Sequence, residues 1–461
     1  MSGIALVANS QGFNVTGSDL VDSNVTKMLK DAGVDVKIGQ LAENIQKGQN
    51  APDVVVVSTA ILDNNPEYKA AKDAGIEIWH RAQMLAYLGR NLKTLAVSGT
   101  HGKTSTSSML ASVIDGMGYD PSFLVGGVVQ EYGTNAKSGA GEYYVVEADE
   151  SDKSFRFLNP YSEIITNIEA DHLDHYQDLN EIYEKFKNFM DTNSKEGYLV
   201  VSGDDKNLYE LAKSSNKNVI SYGISEECDC QILNYKIQDI GCSFDLRLPV
   251  FEFSDSKRAS EIILNCKLKQ NPGIHYAKNA ASVIVLLDLL GFDVNKACEV
   301  LSNFAGIKRR FDLVGKVNDI TVVDDYAHHS TEIATTIKSA LQLKFENVHV
   351  IWQPHRYSRI GLFRDVYPSE FAHAFDGCAS VTFTNIYAAG ETPIPGVSGN
   401  TFLDIVKKES NIDSNKLFYV PDRVELVSHI KNLVKPNDLI ITMGAGDITA
   451  MAPMILKELA K

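Results

Sequence analysis

One glycine turn near residue 100 constrains this chain more than any other stretch of its sequence. An apolar run over residues 95–98 predicts a strand, and small and apolar residues at helical spacing over residues 105–114 predict a helix. The turn between them consists of Gly99, Thr100, His101, Gly102, Lys103 and Thr104. A strand, a glycine turn and a helix start in that order form a cradle for phosphate.

The residue types of this turn fit the binding of a phosphorylated nucleotide. Gly99 and Gly102 allow backbone N–H groups to approach an anion closely, and the helix start adds the positive end of its dipole. Lys103 is placed to reach the outer phosphates, and the Thr104 hydroxyl is placed to ligate Mg²⁺. Val97 stands where the strict phosphate-loop pattern has its first glycine. A plain strand–helix turn with a solvated Lys103 is the alternative.

Composition limits the classes of function that are open to the chain. Its 461 residues predict about three domains, at about 150 residues each. A net charge of −15 argues against non-specific nucleic-acid binding, although local Arg and Lys can still form a positive pocket for an anionic small molecule. The six cysteines show no zinc-site spacing, which predicts reduced, mostly buried thiols in a cytoplasmic protein. No signal peptide is visible, and the longest apolar run, residues 283–292, is too short for membrane insertion.

Residues 1–90 predict alternating strands and helices, as in half of a doubly wound α/β unit. The valine-rich run over residues 53–58 is typical of a buried parallel strand. Ligands of such units bind beyond the carboxyl ends of the strands, where we expect Ser18, Asp19, Ser58, Thr59 and His80. Ordinary turns and helix N-caps explain each of these residues equally well. The chain opens directly in a predicted helix, without the strand and Gly-rich turn that normally precede it in such a domain.

Residues 91–306 place acidic residues and a histidine after two further predicted strands. One strand leads into the run Glu147-Ala-Asp-Glu-Ser-Asp152, and the next leads into Asp171-His172. Neighbouring carboxylates repel one another unless a cation neutralises them, and Mg²⁺ held jointly with ATP phosphates is the natural reason for this run. A solvated acidic turn and a surface ion cluster are the alternatives. Asn279, near a helix start, is suited either to adenine or to a structural hydrogen bond.

Residues 307–461 predict a second α/β domain with basic and aromatic residues at its strand ends. Lys308-Arg309-Arg310-Phe311, at the junction, is interpreted as a phosphate clamp or as a solvated hinge. One strand ends in Asp325-Tyr-Ala-His-His329 and the next in His355-Arg-Tyr-Ser-Arg359, groups that suit carboxylate and phosphate recognition. A glycine-rich turn over residues 444–447 is weaker evidence, because such turns often merely join a strand to a helix.

Five motifs together resemble the Mur ligase family. In chain order they are Gly99-Thr-His-Gly-Lys-Thr104, Glu147-Ala-Asp-Glu-Ser-Asp152, Asn167-Ile-Glu-Ala-Asp-His172, Asp325-Tyr-Ala-His-His329 and His355-Arg-Tyr-Ser-Arg359. The resemblance covers nearly the whole chain and is strongest to the branch that adds alanine. It implies an α/β fold of three domains: a Rossmann-like UDP-substrate domain over residues 1–90, a P-loop ATPase domain over residues 91–306 and a Rossmann-like amino-acid-binding domain over residues 307–461. It also implies ATP-dependent ligation of L-alanine to UDP-N-acetylmuramate through an acyl phosphate, which starts the peptide stem of peptidoglycan.

The resemblance implies a role for each matching residue. Lys103 would neutralise charge on the transferred phosphoryl group, Thr104 and Glu147 would hold Mg²⁺, and His172 would ligate a second Mg²⁺. Asn279 and Asp325 would position adenine and ribose, and Arg310 would contact phosphates. The alanine and acyl-phosphate site would be lined by Tyr326, His328, Arg356 and Arg359, and the UDP end by Ser18, Asp19, Ser58, Thr59 and His80.

Two features depart from the family pattern. The missing strand and Gly-rich turn imply a truncated start or impaired UDP binding, and an unpaired position in the first sheet. Several relatives carry a carbamylated lysine on the helix after the Asp-His motif; Lys187 has a compatible offset, and we interpret it as solvated. A sister ligase that attaches a recycled murein peptide and a weakened UDP-sugar or nucleotide-binding protein remain the alternative functions. We expect a monomer or homodimer.

Overall fold

The computed structural model describes residues 1–46, 48–150, 154–169, 178–366 and 368–461. These residues form two compact units. The first comprises Met1–Leu233, Asp245–Asn265 and Lys278–Leu301, and the second comprises Asn234–Phe244, Cys266–Ala277 and Ser302–Lys461. No helix in the described part of the chain combines the length and the apolar character needed to cross a bilayer. The six cysteines are all free and buried, as predicted.

The first segment alternates short strands and helices, as its sequence predicts. Its elements are α1 (Ser2–Ser10), β1 (Thr16–Asp19), α2 (Asn24–Asp31), β2 (Asp35–Ile38), β3 (Val54–Val57), α3 (Pro66–Asp73), β4 (Glu77–His80) and α4 (Arg81–Leu88). The strands pair in parallel as β1 with β2 and β3 with β4, in two separate sheets. Among the described residues no strand joins the two pairs, in agreement with the expected gap in this sheet.

The prediction that the valine strand is buried is wrong. All four residues of β3 are half-buried. A parallel strand is buried when it has neighbours at both edges and helices on both faces, whereas β3 is hydrogen-bonded to β4 alone. The missing neighbour therefore explains the exposure of these valines.

A ten-stranded sheet carries the glycine turn. Its strands are β5 (Lys93–Ser98), β6 (Ser122–Val129), β7 (Thr134–Lys137), β8 (Tyr143–Glu147), β9 (Ser162–Ile165), β10 (Tyr198–Ser202), β11 (Asn218–Gly223), β12 (Cys230–Gln238), β13 (Gly241–Leu248) and β14 (Ile262–Leu268). The helices of this part of the chain are α5 (Lys103–Gly116), α6 (Leu179–Thr192), α7 (Lys206–Lys213), α8 (Ile274–Leu289) and α9 (Val294–Ser302). The sheet order is β14-β13-β12-β11-β10-β9-β5-β8-β6-β7, so the two strands with acidic ends flank the strand with the glycine turn. Because β8, β5 and β9 run in parallel, their carboxyl ends lie side by side.

The last segment forms a six-stranded sheet in the order β15-β16-β20-β17-β18-β19. Its strands are β15 (Asp312–Val317), β16 (Ile320–Asp325), β17 (Val348–Trp352), β18 (Ser380–Phe383), β19 (Leu417–Tyr419) and β20 (Leu439–Met443). Its helices are α10 (Ser330–Leu341), α11 (Tyr357–Val366), α12 (Pro368–His373), α13 (Gly399–Glu409), α14 (Arg423–Leu433) and α15 (Met451–Leu459). Trp352, at the end of β17, is fully buried among four phenylalanine rings, which anchors this end of the sheet in the core.

Glu163 is a fully buried carboxyl group within the ten-stranded sheet. It lies in β9, opposite Ala96 of β5 and Leu199 of β10. Its Oε1 accepts a hydrogen bond from Ser98 Oγ at 2.9 Å, and its Oε2 has no hydrogen-bond partner among the described residues. Burial raises the pKa of Glu163 to about 8, although the Ser98 hydrogen bond opposes the shift. The group is therefore protonated at neutral pH.

We expect Glu163→Gln to change how stability depends on pH. The folded chain keeps a proton that an exposed glutamate releases above its ordinary pKa of 4.5, so the contribution of Glu163 to stability is complete at low pH and is lost as the pH rises toward about 8. The slope within this window is at most about 1.4 kcal/mol per pH unit. Glutamine removes the titration. The melting temperature of the variant, relative to that of the parent, should therefore rise with pH between pH 5 and about pH 8.

Glu196→Gln is the matched control, because Glu196 is an exposed glutamate of the same unit. Its melting temperature should follow that of the parent at every pH. Parallel curves for all three proteins would show that Glu163 is ionised in the folded chain.

Candidate active site

The glycine turn has the conformation that its sequence predicts. It leaves β5 after Ser98 and enters α5 at Lys103, with φ of 127° at Gly99 and 85° at Gly102. A Cβ atom on Gly99 would lie 2.2 Å from Thr166 Oγ1, and one on Gly102 would lie 2.9 Å from Asn279 Oδ1. Both backbone angle and space therefore require glycine at these two positions. No side chain caps the start of α5, which leaves that helix start suited to an external anion.

The residues after β9 hold this turn in place. Asn167 Oδ1 accepts a hydrogen bond from the His101 backbone N–H at 2.9 Å, and Asn167 Nδ2 donates to the His101 carbonyl at 3.0 Å. The Thr166 hydroxyl donates to the same carbonyl at 2.5 Å, and the Thr100 N–H donates to the Asn167 carbonyl at 3.0 Å. The sequence predicts a strand over residues 164–168, whereas β9 ends at Ile165. The Thr166 N–H still donates to the Ser98 carbonyl at 3.1 Å, while the Thr166 hydroxyl and the Asn167 amide bind the turn. This clamp was not recognised from sequence, although Asn167 belongs to a quoted motif.

Lys103 lies inside the turn, and its ammonium group has three hydrogen-bond partners. Its Nζ donates to the Gly99 carbonyl at 2.6 Å, to the Thr100 carbonyl at 3.0 Å and to the carboxylate of Glu150 at 2.8 Å. Burial alone lowers the pKa of Lys103, but the nearby carboxylates, above all that of Glu150, more than offset it and the pKa is raised. The same burial raises the pKa of Glu150 to about 7 against the attraction of Lys103. Glu150 is thus the carboxylate partner of Lys103.

Glu147 occupies the position expected for a metal ligand at the strand end. It is the last residue of β8 and is paired with Val97 of β5, two residues before Gly99. Its Oε2 accepts the Gly126 backbone N–H at 2.8 Å, and a Cβ atom on Gly126 would lie 2.5 Å from that oxygen. The described residues contain no cluster of three His, Cys, Asp or Glu side chains suited to a metal. His172 lies outside the described residues.

Two further sequence predictions, for Asn279 and Lys187, concern residues of the first unit. Asn279 lies in α8 and is buried, with its amide against Gly102. Its proposed contact with adenine stays a prediction. Lys187 lies in α6 and forms an ion pair with Asp191 at 2.7 Å, so its ammonium has a protein partner one turn along the helix and is not simply solvated.

The substrate-end residues of the first segment have local structural contacts. Ser18 Oγ donates to Glu67 Oε2 at 2.6 Å, and Asp19 Oδ1 accepts the Val21 N–H at 3.1 Å. His80 caps α4 together with Gln83. Ser58 is half-buried and Thr59 is exposed, in the turn that follows β3. Asp19 therefore has a turn role, His80 a capping role and Ser18 a hydrogen bond to α3, and the proposed contacts of all five residues with a UDP group stay predictions.

In the second unit, Asp325 is a buried carboxylate at the end of β16. Its Oδ2 accepts the Phe311 N–H at 2.8 Å, and its Oδ1 accepts the Ala327 N–H at 2.8 Å. Burial raises the pKa of Asp325 to about 6, although the charge of Arg310 opposes the shift. The Arg310 guanidinium lies 5.2 Å from the centre of the Tyr326 ring and 3.8 Å from Glu332. Asp325 therefore organises the backbone around Arg310.

Histidine and arginine side chains follow β16 and β17, as predicted. His328 Nδ1 lies 3.0 Å from the Tyr326 carbonyl, and the His328 and His355 rings are 5.9 Å apart. Burial lowers the pKa of both imidazoles to about 4, so both are neutral at pH 7.

His355 Nδ1 and Arg359 Nη1 are buried and have no hydrogen-bond partner among the described residues. Arg356 has a φ of 65°, and its N–H donates to the Tyr387 carbonyl at 2.9 Å. Buried donors without partners make this cluster a candidate anion site.

A cavity of about 250 Å³ lies at the carboxyl ends of β17, β18 and β20. Gln353 Nε2 donates to Asp447 Oδ1 at 2.8 Å in its wall, and Tyr387, also in the wall, stacks on His355 with ring centres 5.8 Å apart. The sequence hinted at this cavity only through the glycine-rich turn over residues 444–447, because Gln353 and Tyr387 belong to none of the motifs.

Comparison with known proteins matches the whole chain. The family models are "Mur ligase family, catalytic domain" over residues 1–92, "Mur ligase middle domain" over residues 97–287 and "Mur ligase, glutamate ligase domain" over residues 309–446. The UDP-N-acetylmuramate–L-alanine ligase of Carboxydothermus hydrogenoformans is 41% identical over 458 residues, which cover 99% of this chain and 94% of the relative. That of Syntrophomonas wolfei is 39% identical, with 100% and 95% covered.

Solved structures give the same result. The UDP-N-acetylmuramate-alanine ligase MurC of Thermotoga maritima superposes with a TM-score of 0.79 at 28% identity, covering 99% of this chain and 96% of that chain. A murein peptide ligase of Psychrobacter arcticus gives a TM-score of 0.69 at 26% identity, with 100% and 96% covered. The glycine turn follows a strand that lies between two strands leading into acidic residues, and the second unit holds a histidine–arginine cluster. Together with the end-to-end similarity to these proteins, these features show that the chain belongs to the Mur ligase family.

Proposed function

We propose that this chain joins L-alanine to UDP-N-acetylmuramate at the expense of ATP, through an acyl-phosphate intermediate. The ligation itself is the reaction named for the relatives that match the chain from end to end at 39–41% identity. The observation that carries the mechanism is the phosphate turn with Lys103 held beside Glu150. It supplies a buried cation at the place where a nucleotide's terminal phosphate would bind.

Two steps account for the atoms of this reaction. A carboxylate oxygen of UDP-N-acetylmuramate attacks the γ-phosphorus of ATP, the bond from that phosphorus to the bridging oxygen breaks, and ADP leaves. The alanine amine then attacks the acyl carbon, loses a proton and displaces inorganic phosphate. Holding the reactants together supplies much of the rate, because it removes the entropic cost of their encounter.

On the nucleotide side, we assign the phosphate cradle to Gly99, Thr100, His101, Gly102, Lys103 and Thr104. Lys103 exchanges its carbonyl partners for phosphate oxygens and neutralises charge on the transferred group. Asn279 keeps its assignment to adenine, Asp325 its assignment to ribose and Arg310 its assignment to phosphate.

The residues at the strand ends fit Mg²⁺ by their chemistry. The Thr104 hydroxyl and the Glu147 carboxylate are hard oxygen donors, which Mg²⁺ prefers. Glu150, with a pKa raised to about 7, adds a carboxyl group whose charged form a cation would stabilise. When bound, Mg²⁺ supplies neutralisation of the phosphate charge. His172 keeps its assignment as a ligand of a second ion.

On the acceptor side, we assign the amino acid and the acyl phosphate to Tyr326, His328, Arg356 and Arg359. The guanidinium groups attract the carboxylate and the phosphate, while the imidazoles of His328 and His355, whose pKa values are about 4, add no charge at pH 7. At the other end of the substrate, Ser18, Asp19, Ser58, Thr59 and His80 keep their assignment to the UDP group. The free, buried cysteines fit a reducing cytoplasmic setting.

We expect Lys103→Ala to lower phosphate release by a factor of about 100 or more, the loss typical when one charged or donor group leaves a transition state. The reason is that no other described ammonium group lies within the turn. Release is measured with UDP-N-acetylmuramate, L-alanine, ATP and Mg²⁺ present. Lys213→Ala, which removes an exposed lysine paired with Glu210, should leave turnover unchanged. Full turnover by a correctly melting Lys103→Ala protein would remove the proposed site.

Glu147→Gln should raise the Mg²⁺ concentration that gives half-maximal activity by a factor of about 10 or more, as expected for loss of a ligand charge. Saturating Mg²⁺ should restore much of the rate, because the amide oxygen still accepts a hydrogen bond from Gly126. The control is Glu142→Gln, an exposed carboxylate paired with Lys93. A Mg²⁺ titration unchanged in both variants would refute the metal role of Glu147.

The choice of amino donor separates this function from its alternatives. With ATP, Mg²⁺ and UDP-N-acetylmuramate, steady-state phosphate release should be stimulated by L-alanine and not by L-alanyl-γ-D-glutamyl-meso-diaminopimelate. The reverse result would identify a murein peptide ligase, the activity of one superposing structure. Binding of nucleotide with no stimulation by either donor would identify a weakened binding protein. Omission of UDP-N-acetylmuramate is the blank.

A further inference from the structure

The turn over residues 307–311, at the start of the second unit's last segment, is strained. Arg309 has a φ of 64° and Phe311 a φ of 47°, both in the left-handed region that residues other than glycine and asparagine rarely adopt. Such backbone angles are unfavourable for these residues and persist only where the surroundings fix them. Arg310, which we assign to the phosphates, stands between the two. The strain therefore points to contacts that hold Arg310 in one direction.

Three hydrogen bonds fix the backbone of this turn. The Arg309 N–H donates to Asp312 Oδ2 at 3.2 Å, and the Phe311 N–H donates to Asp325 Oδ2 at 2.8 Å. Asn271 Nδ2 donates to the Arg310 carbonyl at 3.0 Å. All of these groups belong to the second unit. They restrain the chain on both sides of Arg310 but do not connect it to the glycine-rich turn over residues 444–447.

The side chain of Arg309 makes that connection. Its Nη2 donates to the carbonyls of Gly444 and Gly446, the latter at 2.9 Å. Its guanidinium lies 4.7 Å from the centre of the Tyr326 ring, and its Nε lies 3.8 Å from Asp324 Oδ2. Arg309 thus joins the strained turn to the ends of β16 and β20. Its Nη2 donors are directed at groups of the protein, whereas its buried Nε has no hydrogen-bond partner among the described residues.

The neighbouring guanidinium of Arg310 lies 5.2 Å from the centre of the same Tyr326 ring. The two adjacent arginines thus share one aromatic ring, and the position of the first constrains the position of the second. A cation–π contact is weak at a partly exposed site, so the ring alone is a weak restraint. The hydrogen bonds of Arg309 to two carbonyls are the stronger part of the arrangement.

We propose that Arg309 is a positioning residue, which locks the strained turn to the Gly444 and Gly446 carbonyls and thereby fixes Arg310 for the phosphates of the nucleotide. This role rests on the proposed function of Arg310. Loss of the Arg309 side chain leaves two carbonyls without their donor and lets the turn relax to ordinary backbone angles. Arg310 then occupies several directions, and nucleotide affinity falls although no contact with the nucleotide has been removed.

The test measures ATP affinity and kinetics in single and double variants of the full chain. Arg309→Met should raise the KM for ATP and the calorimetric Kd of a non-hydrolysable ATP analogue with Mg²⁺ by about tenfold, which is about 1.4 kcal/mol. The change in kcat should be smaller. Arg310→Ala should raise both constants at least as much, and the double variant should be no worse than Arg310→Ala alone, because Arg309 acts only through Arg310.

Three further variants separate positioning from a structural role. Lys316→Met removes an exposed cation of the same unit, which is paired with Asp319, and should match the parent. Arg309→Gly relieves the strain at φ 64° yet lacks the guanidinium, so it should behave like Arg309→Met. Arg309→Lys keeps one donor group and should recover part of the affinity. Melting temperatures show whether each variant is folded.

The outcomes are distinguishable. Additive losses in the double variant, unchanged affinity in Arg309→Met, or normal affinity in Arg309→Gly would overturn the positioning role while leaving the function of Arg310 intact. An Arg309→Met protein with lower kcat, lower melting temperature and unchanged Kd would make the residue merely structural. Normal ATP affinity in Arg310→Ala would overturn the proposed role of Arg310, and the role of Arg309 with it.

Discussion

The site of the first unit depends on one buried ion pair, that of Lys103 with Glu150. The ammonium group is 12% exposed and the carboxylate 3%, so neither charge is well solvated and each needs the other. Burial favours the neutral form of Glu150, raising its pKa to about 7, and the attraction of Lys103 is the largest effect that opposes this. Under the proposed function, phosphate oxygens replace the two carbonyl partners of this ammonium group while Glu150 stays beside it. The incoming negative charge then lies next to the Glu150 carboxyl group, which must keep a proton or face a cation, so phosphate binding is coupled to charge at the neighbouring strand end.

The two units differ in the residue types that occupy backbone positions with positive φ. The phosphate turn uses Gly99 and Gly102 at positive φ, where a side chain would collide with Thr166 or Asn279. The second unit instead holds Arg309, Phe311 and Arg356 at positive φ, with side chains that a glycine could not supply. Left-handed backbone is unfavourable for these residues, so the hydrogen bonds of the surrounding carboxylates and carbonyls must stabilise it. Both solutions direct polar groups to the carboxyl ends of parallel strands.

Most of this arrangement was predicted from the sequence, and the features that were not predicted share one physical cause. The strand, the glycine turn and the helix near residue 100 were confirmed because each is encoded by local pattern. The partner of Lys103, the clamp by Asn167 and the burial of Glu163 were not predicted, because they depend on which strands become neighbours and in what register. The exposure of β3 is a similar case. Four valines predict a buried strand, but the number of neighbouring strands determines how far the strand is buried.

The electrostatics of the second unit resolve an apparent conflict between a net charge of −15 and a proposed anionic substrate. Arg309, Arg310, Arg356 and Arg359 belong to two short stretches at strand ends, so their charge is local. Asp325 and Glu332 offset part of it from within the protein, and burial keeps His328 and His355 neutral above pH values of about 4. The two imidazoles therefore stay neutral across the physiological pH range. A site of this kind fits the proposed carboxylate and phosphate ligands, and its neutral imidazoles add no further positive charge that would repel a protonated amine.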